Sequence, residues 1–175
     1  DAKYPSFLRT AEKRLAKAQR KLSNKQKGSH NREKQRLRVA ILHEKVANQR
    51  RDFLHKKARY LADRYDVIGI EDISVKAMAK RKKGGKFSFG KSVADNGWNM
   101  FTNMLEYKLA WQGKKLIKID KWYPSSQLCH VCGYQNHETK DLSVREWDCP
   151  KCGSHHNRDK NAAINIREEA RRISA

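Results

Sequence analysis

Apolar residues in the first third of the chain recur at three- and four-residue steps, the spacing of one helix face. The first run predicts a helix over 6–22 that Ser6 can cap, and a second run predicts a longer helix over 32–65, with a Gly-containing turn between them. We expect an antiparallel hairpin with basic outer faces. A plain coiled-coil hairpin fits the same pattern.

The pattern changes after Asp66. Residues 67–70 and 116–119 are short apolar runs, and the first is typical of a strand buried on both faces. A helix that Asp95 opens and Gly113 closes lies between them, and a last helix begins near Asp159. The side chains expected to face inward are Trp98, Phe101, Leu105 and Leu109 in the first helix, and Ala162, Ala163 and Ile166 in the second.

The order strand, helix, strand, helix predicts an α/β fold with a mostly parallel sheet. Two strands are too few for a stable sheet covered on both faces. We therefore expect part of the sheet to lie outside this sequence.

Charge narrows the range of partners. The chain has 175 residues with 40 Lys and Arg against 19 Asp and Glu, a net charge of +21. Residues 1–66 hold 20 basic and 7 acidic side chains. A single charged run is usually a solvated helix face, but an excess over the whole chain indicates a polyanion, most simply nucleic acid. No window approaches the roughly 18 apolar residues of a membrane span, and no signal-peptide h-region is present.

The strongest chemical motif is a pair of Cys-x-x-Cys knuckles, which uses all four cysteines. Their spacing predicts a four-cysteine zinc ribbon with a closed, structural metal site formed by Cys129, Cys132, Cys149 and Cys152. Two disulfides are the alternative, which the missing export signal disfavours. Because four thiolates satisfy the metal, the nearby histidines are not expected to be ligands; they are His130, His137, His155 and His156.

Two carboxylates form the second candidate site. Glu71 follows the first strand, and Asp159 begins the last helix. Taken alone, Glu71 is typical of a solvated loop residue and Asp159 of a helix cap. Together they fit a carboxylate cluster that binds Mg²⁺ for phosphodiester hydrolysis.

The order of these motifs is distinctive. IGIEDI at 68–73 precedes the ribbon, CHVC at 129–132 and CPKC at 149–152, and NRDKNAA follows at once at 157–163. This order resembles the C-terminal part of the TnpB (OrfB) family, the RNA-guided nucleases of insertion sequences and relatives of type V CRISPR effectors. The resemblance covers essentially all of the chain.

The resemblance implies an incomplete RNase H-like (RuvC) fold with an inserted helical hairpin and a zinc ribbon. Its expected parts are a hairpin at 1–66, RuvC core at 67–126, the ribbon at 127–155 and a RuvC helix at 156–175. The first catalytic Asp of the family and its upstream wedge and RNA-recognition domains have no counterpart in this sequence.

The resemblance also implies residue roles. Glu71 and Asp159 match two of the family's three Mg²⁺ ligands, and the four cysteines match its zinc ligands. Expected partners are guide RNA, target DNA and the missing N-terminal region, in the same protein or another chain, in a prokaryotic cytoplasm. The basic side chains expected to contact phosphate are Lys80, Arg81, Lys82, Lys83, Lys86, Arg158 and Lys160.

The complete protein is then expected to be an Mg²⁺-dependent, RNA-guided DNA endonuclease. The alternative is a catalytically inactive RNA- or DNA-binding fragment or paralogue, acting as a repressor or accessory subunit. Trp122 and Tyr123 could stack on bases, but we expect them to be core aromatics.

Overall fold

A computed structural model of the chain describes residues 5–73 and 97–175. The described residues form two compact units. One contains residues 5–61 and 97–108, and the other contains residues 62–73 and 109–175. The second unit holds both predicted sites.

The first unit is built on a helical hairpin of α1 (Phe7–Ser23) and the greater part of α2 (His30–Arg64). The amide of Gln35 donates to the carbonyl of Ala18 at 2.9 Å, and the rings of Phe7 and Phe53 lie 5.8 Å apart. Pairing early residues of α1 with late residues of α2 makes the hairpin antiparallel, as predicted. Its buried apolar side chains are Leu15, Val46, Leu54 and Ala58.

Ser6 begins α1 differently from the prediction. Its side chain makes no capping hydrogen bond. Its carbonyl instead accepts bonds from the backbone N–H and the hydroxyl of Thr10, each at 3.0 Å. The helix therefore starts on ordinary backbone bonding, without the side-chain cap.

The second unit contains a parallel pair of strands, β1 (Val67–Glu71) and β2 (Lys115–Ile119). The register sets Val67 opposite Lys115 and Glu71 opposite Ile119. The carboxyl ends of two parallel strands lie at the same edge of the sheet. Glu71, at the end of β1, and Asp120, directly after β2, therefore both lie at that edge. The prediction that β1 is buried on both faces was wrong, because Val67 is exposed and the rest of the strand is half-buried. Each of these strands pairs only with the other within the described part of the chain.

Gly113 closes α3 (Trp98–Ala110), as predicted. Its N–H donates to Ala110 at 3.1 Å, and the N–H of Lys114 donates to Leu109 at 2.9 Å. Gly113 has φ of +68°, a left-handed value that costs a residue without a side chain little. The predicted start at Asp95 lies outside the described residues.

Helix α4 (Arg158–Ser174) packs directly on β1. A Cβ at Gly69 would lie 2.6 Å from Cβ of Ala170 and 3.1 Å from the carbonyl of Ile166, so only glycine allows this approach. The prediction that Ala163 faces inward was wrong, because Ala163 is exposed. The buried positions of the helix include Asn161 and Asn165 instead.

Within the described ranges, no helix is both long enough and apolar enough to cross a lipid bilayer.

Candidate metal centre and carboxylate site

The four cysteines lie on two knuckles of the same geometry. In the first, the N–H of Gly133 donates to the carbonyl of Cys129 at 2.8 Å, and in the second the N–H of Gly153 donates to that of Cys149 at 2.8 Å. Both glycines have left-handed φ, +72° and +71°. Each knuckle therefore turns tightly enough to direct two thiols to one point.

The sulfur spacing tests which group these thiols fit. All four Sγ atoms lie within 4.8 Å of one another. Cys129 and Cys152 are 3.7 Å apart, and Cys132 and Cys149 are 3.6 Å apart. A disulfide would need about 2.05 Å, whereas sulfurs about 2.3 Å from a tetrahedral zinc lie roughly 3.8 Å apart. The cysteine tetrad thus has the spacing of a closed metal site, and zinc is compatible with it.

The thiols differ in their surroundings. Burial raises the pKa of the Cys129 thiol. Hydrogen bonding with Ser154, whose hydroxyl lies 3.3 Å from its sulfur, lowers the pKa of Cys152 to about 6. A bound metal would hold all four cysteines as thiolates, including Cys129, whose burial otherwise favours the protonated thiol.

A small sheet supports the second knuckle. Strands β3 (Glu146–Asp148) and β4 (His155–Asn157) pair antiparallel on either side of it. Trp147 is buried with Cys129 and Cys149, so the ribbon has a core of its own beside the thiols. The 3₁₀ turn His137–Lys140, capped by the side chain of Asn136, completes the ribbon.

His156 lies against the cysteine tetrad, although it was not expected to be a ligand. It is 2% exposed, and its Nε2 lies 3.1 Å from Sγ of Cys129. Its ring lies 4.6 Å from that of Trp147 and 4.9 Å from that of His130. Burial lowers the pKa of His156, which favours the neutral ring. His156 therefore contacts one cysteine of the tetrad without belonging to it.

Glu71 is half-buried at the carboxyl end of β1. Its Oε1 accepts a hydrogen bond from the hydroxyl of Ser125 at 2.6 Å. Glu71 is thus held by a partner 54 positions away, which argues against a freely solvated loop residue.

Asp159 is the second residue of α4 and does not cap it. The capping residue is Asn157, whose side chain accepts from the N–H of Lys160 at 3.2 Å. The Asp159 carboxylate is 81% exposed, with a guanidinium nitrogen of Arg145 at 3.9 Å. This leaves the carboxylate accessible to a ligand from solvent.

Two buried asparagines of α4 bind the start of the ribbon. Asn161 donates to the carbonyl of Leu128 at 2.6 Å and accepts from the N–H of His130 at 3.1 Å. Its Oδ1 also lies 2.9 Å from Nδ1 of His130. Asn165 donates to the carbonyls of Ser125 and Leu128, at 2.8 and 2.7 Å. The helix that carries Asp159 therefore also fixes the first knuckle.

Glu71 and Asp159 are not part of a wider acidic group in residues 5–73 and 97–175. The cysteine tetrad is the one set of three or more metal-ligating side chains found there. Asp72 and Asp120 follow β1 and β2 at the same sheet edge, and the carboxylate of Asp120 accepts the N–H of Trp122 at 2.6 Å.

The predicted phosphate contacts divide into three cases. Lys80, Arg81, Lys82, Lys83 and Lys86 lie outside the described residues. Lys160 is exposed at the start of α4, whereas Arg158 is only 8% exposed. Lys160 is therefore the more accessible of the two for an external anion.

The hairpin presents basic surface, as predicted. A shallow groove of about 430 Å³ runs between α1 and α2, and its cationic lining residues are Arg14, Lys17, Lys21 and Arg38. A second set of cations on α1 is spaced at three or four residues and comprises Arg9, Lys13, Lys17 and Arg20.

Trp122 is 79% exposed, so its assignment to the core was wrong. Tyr123 is half-buried beside it. The ammonium of Lys121 lies 5.1 Å from the centre of the Trp122 ring. An exposed indole next to a cation is suited to stacking on a nucleobase.

Ser125, Asn161 and Asn165 were not predicted to have a role in either site, and His156 was predicted only not to be a ligand. The sequence does contain a signal for the asparagines. Two amide side chains, four residues or about one helical turn apart, follow the second Cys-x-x-Cys knuckle on the predicted last helix. Ser125 gave no such signal, because only the folded chain brings it to Glu71.

Two family models match the chain. One, described as "Probable transposase" (OrfB_IS605), matches residues 1–82, and the other, described as "Cas12f1-like, TNB domain", matches residues 98–166. The chain belongs to the TnpB/OrfB family. The cysteine tetrad lies within the segment that matches the Cas12f1-like model, and the hairpin lies within the segment that matches the transposase model.

Relatives agree with this assignment. The chain is 44% identical over 162 residues to the "Putative RNA-guided DNA endonuclease" of Streptomyces pristinaespiralis, covering 93% of the chain and 39% of that protein. It is 36% identical to InsQ of Escherichia coli K12, a protein of the same description, covering 89% of the chain and 40% of InsQ. The chain therefore spans about two fifths of the length of these TnpB/OrfB relatives.

Solved structures show the same fold. The cryo-EM structure of a Cas12f1-sgRNA-target DNA complex superposes with a TM-score of 0.57 at 24% identity, covering 91% of this chain and 41% of that one. A CRISPR-Cas12f ternary complex gives 0.54 at 22% identity, covering 91% and 32%.

Proposed function

We propose that this chain is the RuvC nuclease and zinc-ribbon portion of a transposon-encoded, RNA-guided DNA endonuclease. The observation that carries the proposal is the arrangement of Glu71 and Asp159 on two packed elements, β1 and α4, of a TnpB/OrfB-family chain. The RNase H-like assignment of that α/β core is part of the proposal, and its remaining strands would come from upstream sequence.

The proposed chemistry is hydrolysis of a phosphodiester. Glu71 and Asp159 would supply carboxylate oxygens to Mg²⁺, which when bound would activate water and stabilise the leaving oxygen. The hydroxyl of Ser125 is hydrogen-bonded to one carboxylate oxygen of Glu71, and no group among the described residues is hydrogen-bonded to the other oxygen. Zinc would be structural, because four thiolates leave no open position for substrate.

The proposed partners are guide RNA and target DNA. The cations of α1 and of the groove beside it would neutralise phosphates, while base pairing with the guide would provide sequence specificity. Binding should then weaken with salt, with a log–log slope of roughly −0.7 to −0.9 per phosphate contact.

The test is reconstitution. The chain is joined to an N-terminal region that carries the family's first Asp, covalently or as a separate chain, and supplied with guide RNA. This reconstituted system should cut a matched target only with Mg²⁺, and Glu71→Gln and Asp159→Asn should each abolish cutting while sparing RNA binding.

The controls separate the proposal from its alternative. Asp52→Asn, on the exposed hairpin, should leave cutting intact. If the reconstituted system binds RNA and never cuts, the chain is an inactive binding protein or accessory subunit. If it cuts normally with Asp159→Asn, the proposed carboxylate site is wrong.

A further inference from the structure

The side chain of Ser125 joins the proposed carboxylate site to the rest of the second unit. It is 5% exposed, and its hydroxyl donates to Oε1 of Glu71 at 2.6 Å. Its N–H donates to the carbonyl of Tyr123 at 2.8 Å, and its carbonyl accepts from Asn165 at 2.8 Å. Every polar group of this serine is therefore bound, and its hydroxyl has a fixed direction.

Asn165 fixes the serine from α4. Its Nδ2 has two hydrogens, and its two acceptors are the carbonyls of Ser125 and Leu128. The carbonyl of Leu128 also accepts from Asn161, and Leu128 directly precedes the metal ligand Cys129. A continuous series of hydrogen bonds thus runs from the ribbon, through α4, to the carboxylate of Glu71.

This arrangement has a consequence for Glu71. A glutamate has three side-chain torsions, and metal-binding carboxylates depend on neighbouring hydrogen bonds to hold them in one orientation. No other side chain of the described residues donates to Glu71. Without the Ser125 hydroxyl, Glu71 would keep its place on β1 but lose the bond that selects its orientation.

We propose that Ser125 is a positioning residue for Glu71, held by Asn165 of α4, and that it presents the free carboxylate oxygen to a divalent cation. The inference rests on the proposed function, in which Glu71 is a cation ligand. It adds a residue whose own side chain contacts neither substrate nor metal.

The experiment compares Ser125→Ala, Ser125→Thr and the matched control Ser126→Ala in the reconstituted system. Ser126 is the adjacent serine, and no hydrogen bond joins its hydroxyl to Glu71. Cutting rate at saturating target, the Mg²⁺ concentration for half-maximal rate, and Mn²⁺ affinity by electron paramagnetic resonance are measured for each variant. Zinc content and circular dichroism establish that each variant is folded.

Ser125→Ala should lower the cutting rate or the Mn²⁺ affinity by about 10- to 100-fold, the usual effect of removing a partner of a metal ligand. Target binding should stay unchanged. Ser125→Thr, which keeps the hydroxyl, should recover most of the loss, and Ser126→Ala should match the unsubstituted chain. If Ser125→Ala does not fold, Ser125→Cys keeps the volume with a far weaker donor and should show the same loss.

Two results overturn the inference separately from the proposed function. Where Glu71→Gln abolishes cutting but folded Ser125→Ala retains full rate and Mn²⁺ affinity, Glu71 is a ligand that needs no positioning. A Ser125→Thr variant that folds and is as defective as Ser125→Ala also excludes the hydroxyl as the cause. If Glu71→Gln cuts normally, the carboxylate site and this inference both fail. If neither the unsubstituted chain nor any variant cuts, the Mn²⁺ affinities test the inference alone: a lower affinity in Ser125→Ala supports it, and an unchanged affinity overturns it.

Discussion

Replacing Gly69 by Ala should loosen the contact between β1 and α4. The added Cβ would lie 2.6 Å from Cβ of Ala170, whereas carbon atoms in good contact are about 3.5–4.0 Å apart. The helix must therefore move away by roughly 1 Å. Because the backbone of Gly69 is not left-handed, an alanine there adds no backbone strain, and its cost in the folded state is steric.

The magnitude follows from two opposing terms. Overpacking costs about 1–3 kcal/mol, and the smaller entropy of an unfolded chain with Ala instead of Gly returns about 0.4–1 kcal/mol. The net loss is about 1–2 kcal/mol, which raises the population of locally open molecules by about 5- to 30-fold. Hydrogen exchange of the β1 and α4 amides, measured with zinc present, should accelerate by that factor.

A double-mutant cycle tests the cause. Ala170→Gly alone should cost about 1 kcal/mol through helix propensity. Combined with Gly69→Ala it removes the closest colliding atom, so the double variant should be less destabilised than the sum of the two single variants by at least about 0.5 kcal/mol. Additive effects, or unchanged exchange in Gly69→Ala, would refute the steric argument.

Three further predictions concern the ribbon and the surface near the sheet edge. Purified chain should contain about one Zn²⁺, and Cys149→Ser should release it and increase exchange across 127–155; a metal-free wild-type chain would contradict this. His156→Ala should weaken zinc binding by about 10- to 100-fold in chelator competition, whereas His155→Ala, at an exposed histidine, should not; equal effects would remove the special role of the Cys129 contact. Trp122→Ala should reduce affinity for single-stranded oligonucleotides by about 1–3 kcal/mol if its ring stacks on a base, and Trp111→Ala, with a ring 78% exposed at the other end of β2, serves as the comparison.

Features encoded by neighbouring residues were predictable from the sequence. The cysteine knuckles form because each is a short turn closed by its own glycine, so the spacing of Cys129 and Cys132 already determines the geometry. The end of α3 at Gly113 is equally local, whereas the parallel pairing of β1 and β2 was predictable from the order of strands and helices along the chain.

Features that depend on distant partners were not predictable. Apolar periodicity predicts that Ala163 lies on the buried face of α4. That face instead lies against the backbone at the start of the ribbon, where carbonyl groups need hydrogen-bond donors. Buried Asn161 and Asn165 provide those donors. Strands β3 and β4 have three residues each, too short for any alternation to be detected.

The bonds that Asn161 and Asn165 make have a consequence for how this protein can vary. Except for the ring of His130, their partners are main-chain atoms: carbonyls, which every amino acid supplies, and the N–H of residue 130, which every amino acid except proline supplies. Leu128 can therefore be exchanged for many other residues with these bonds intact, whereas each asparagine has no equivalent replacement. The side chains of the first knuckle can therefore change without loss of its attachment to α4, because that attachment depends on the two asparagines and on main-chain atoms.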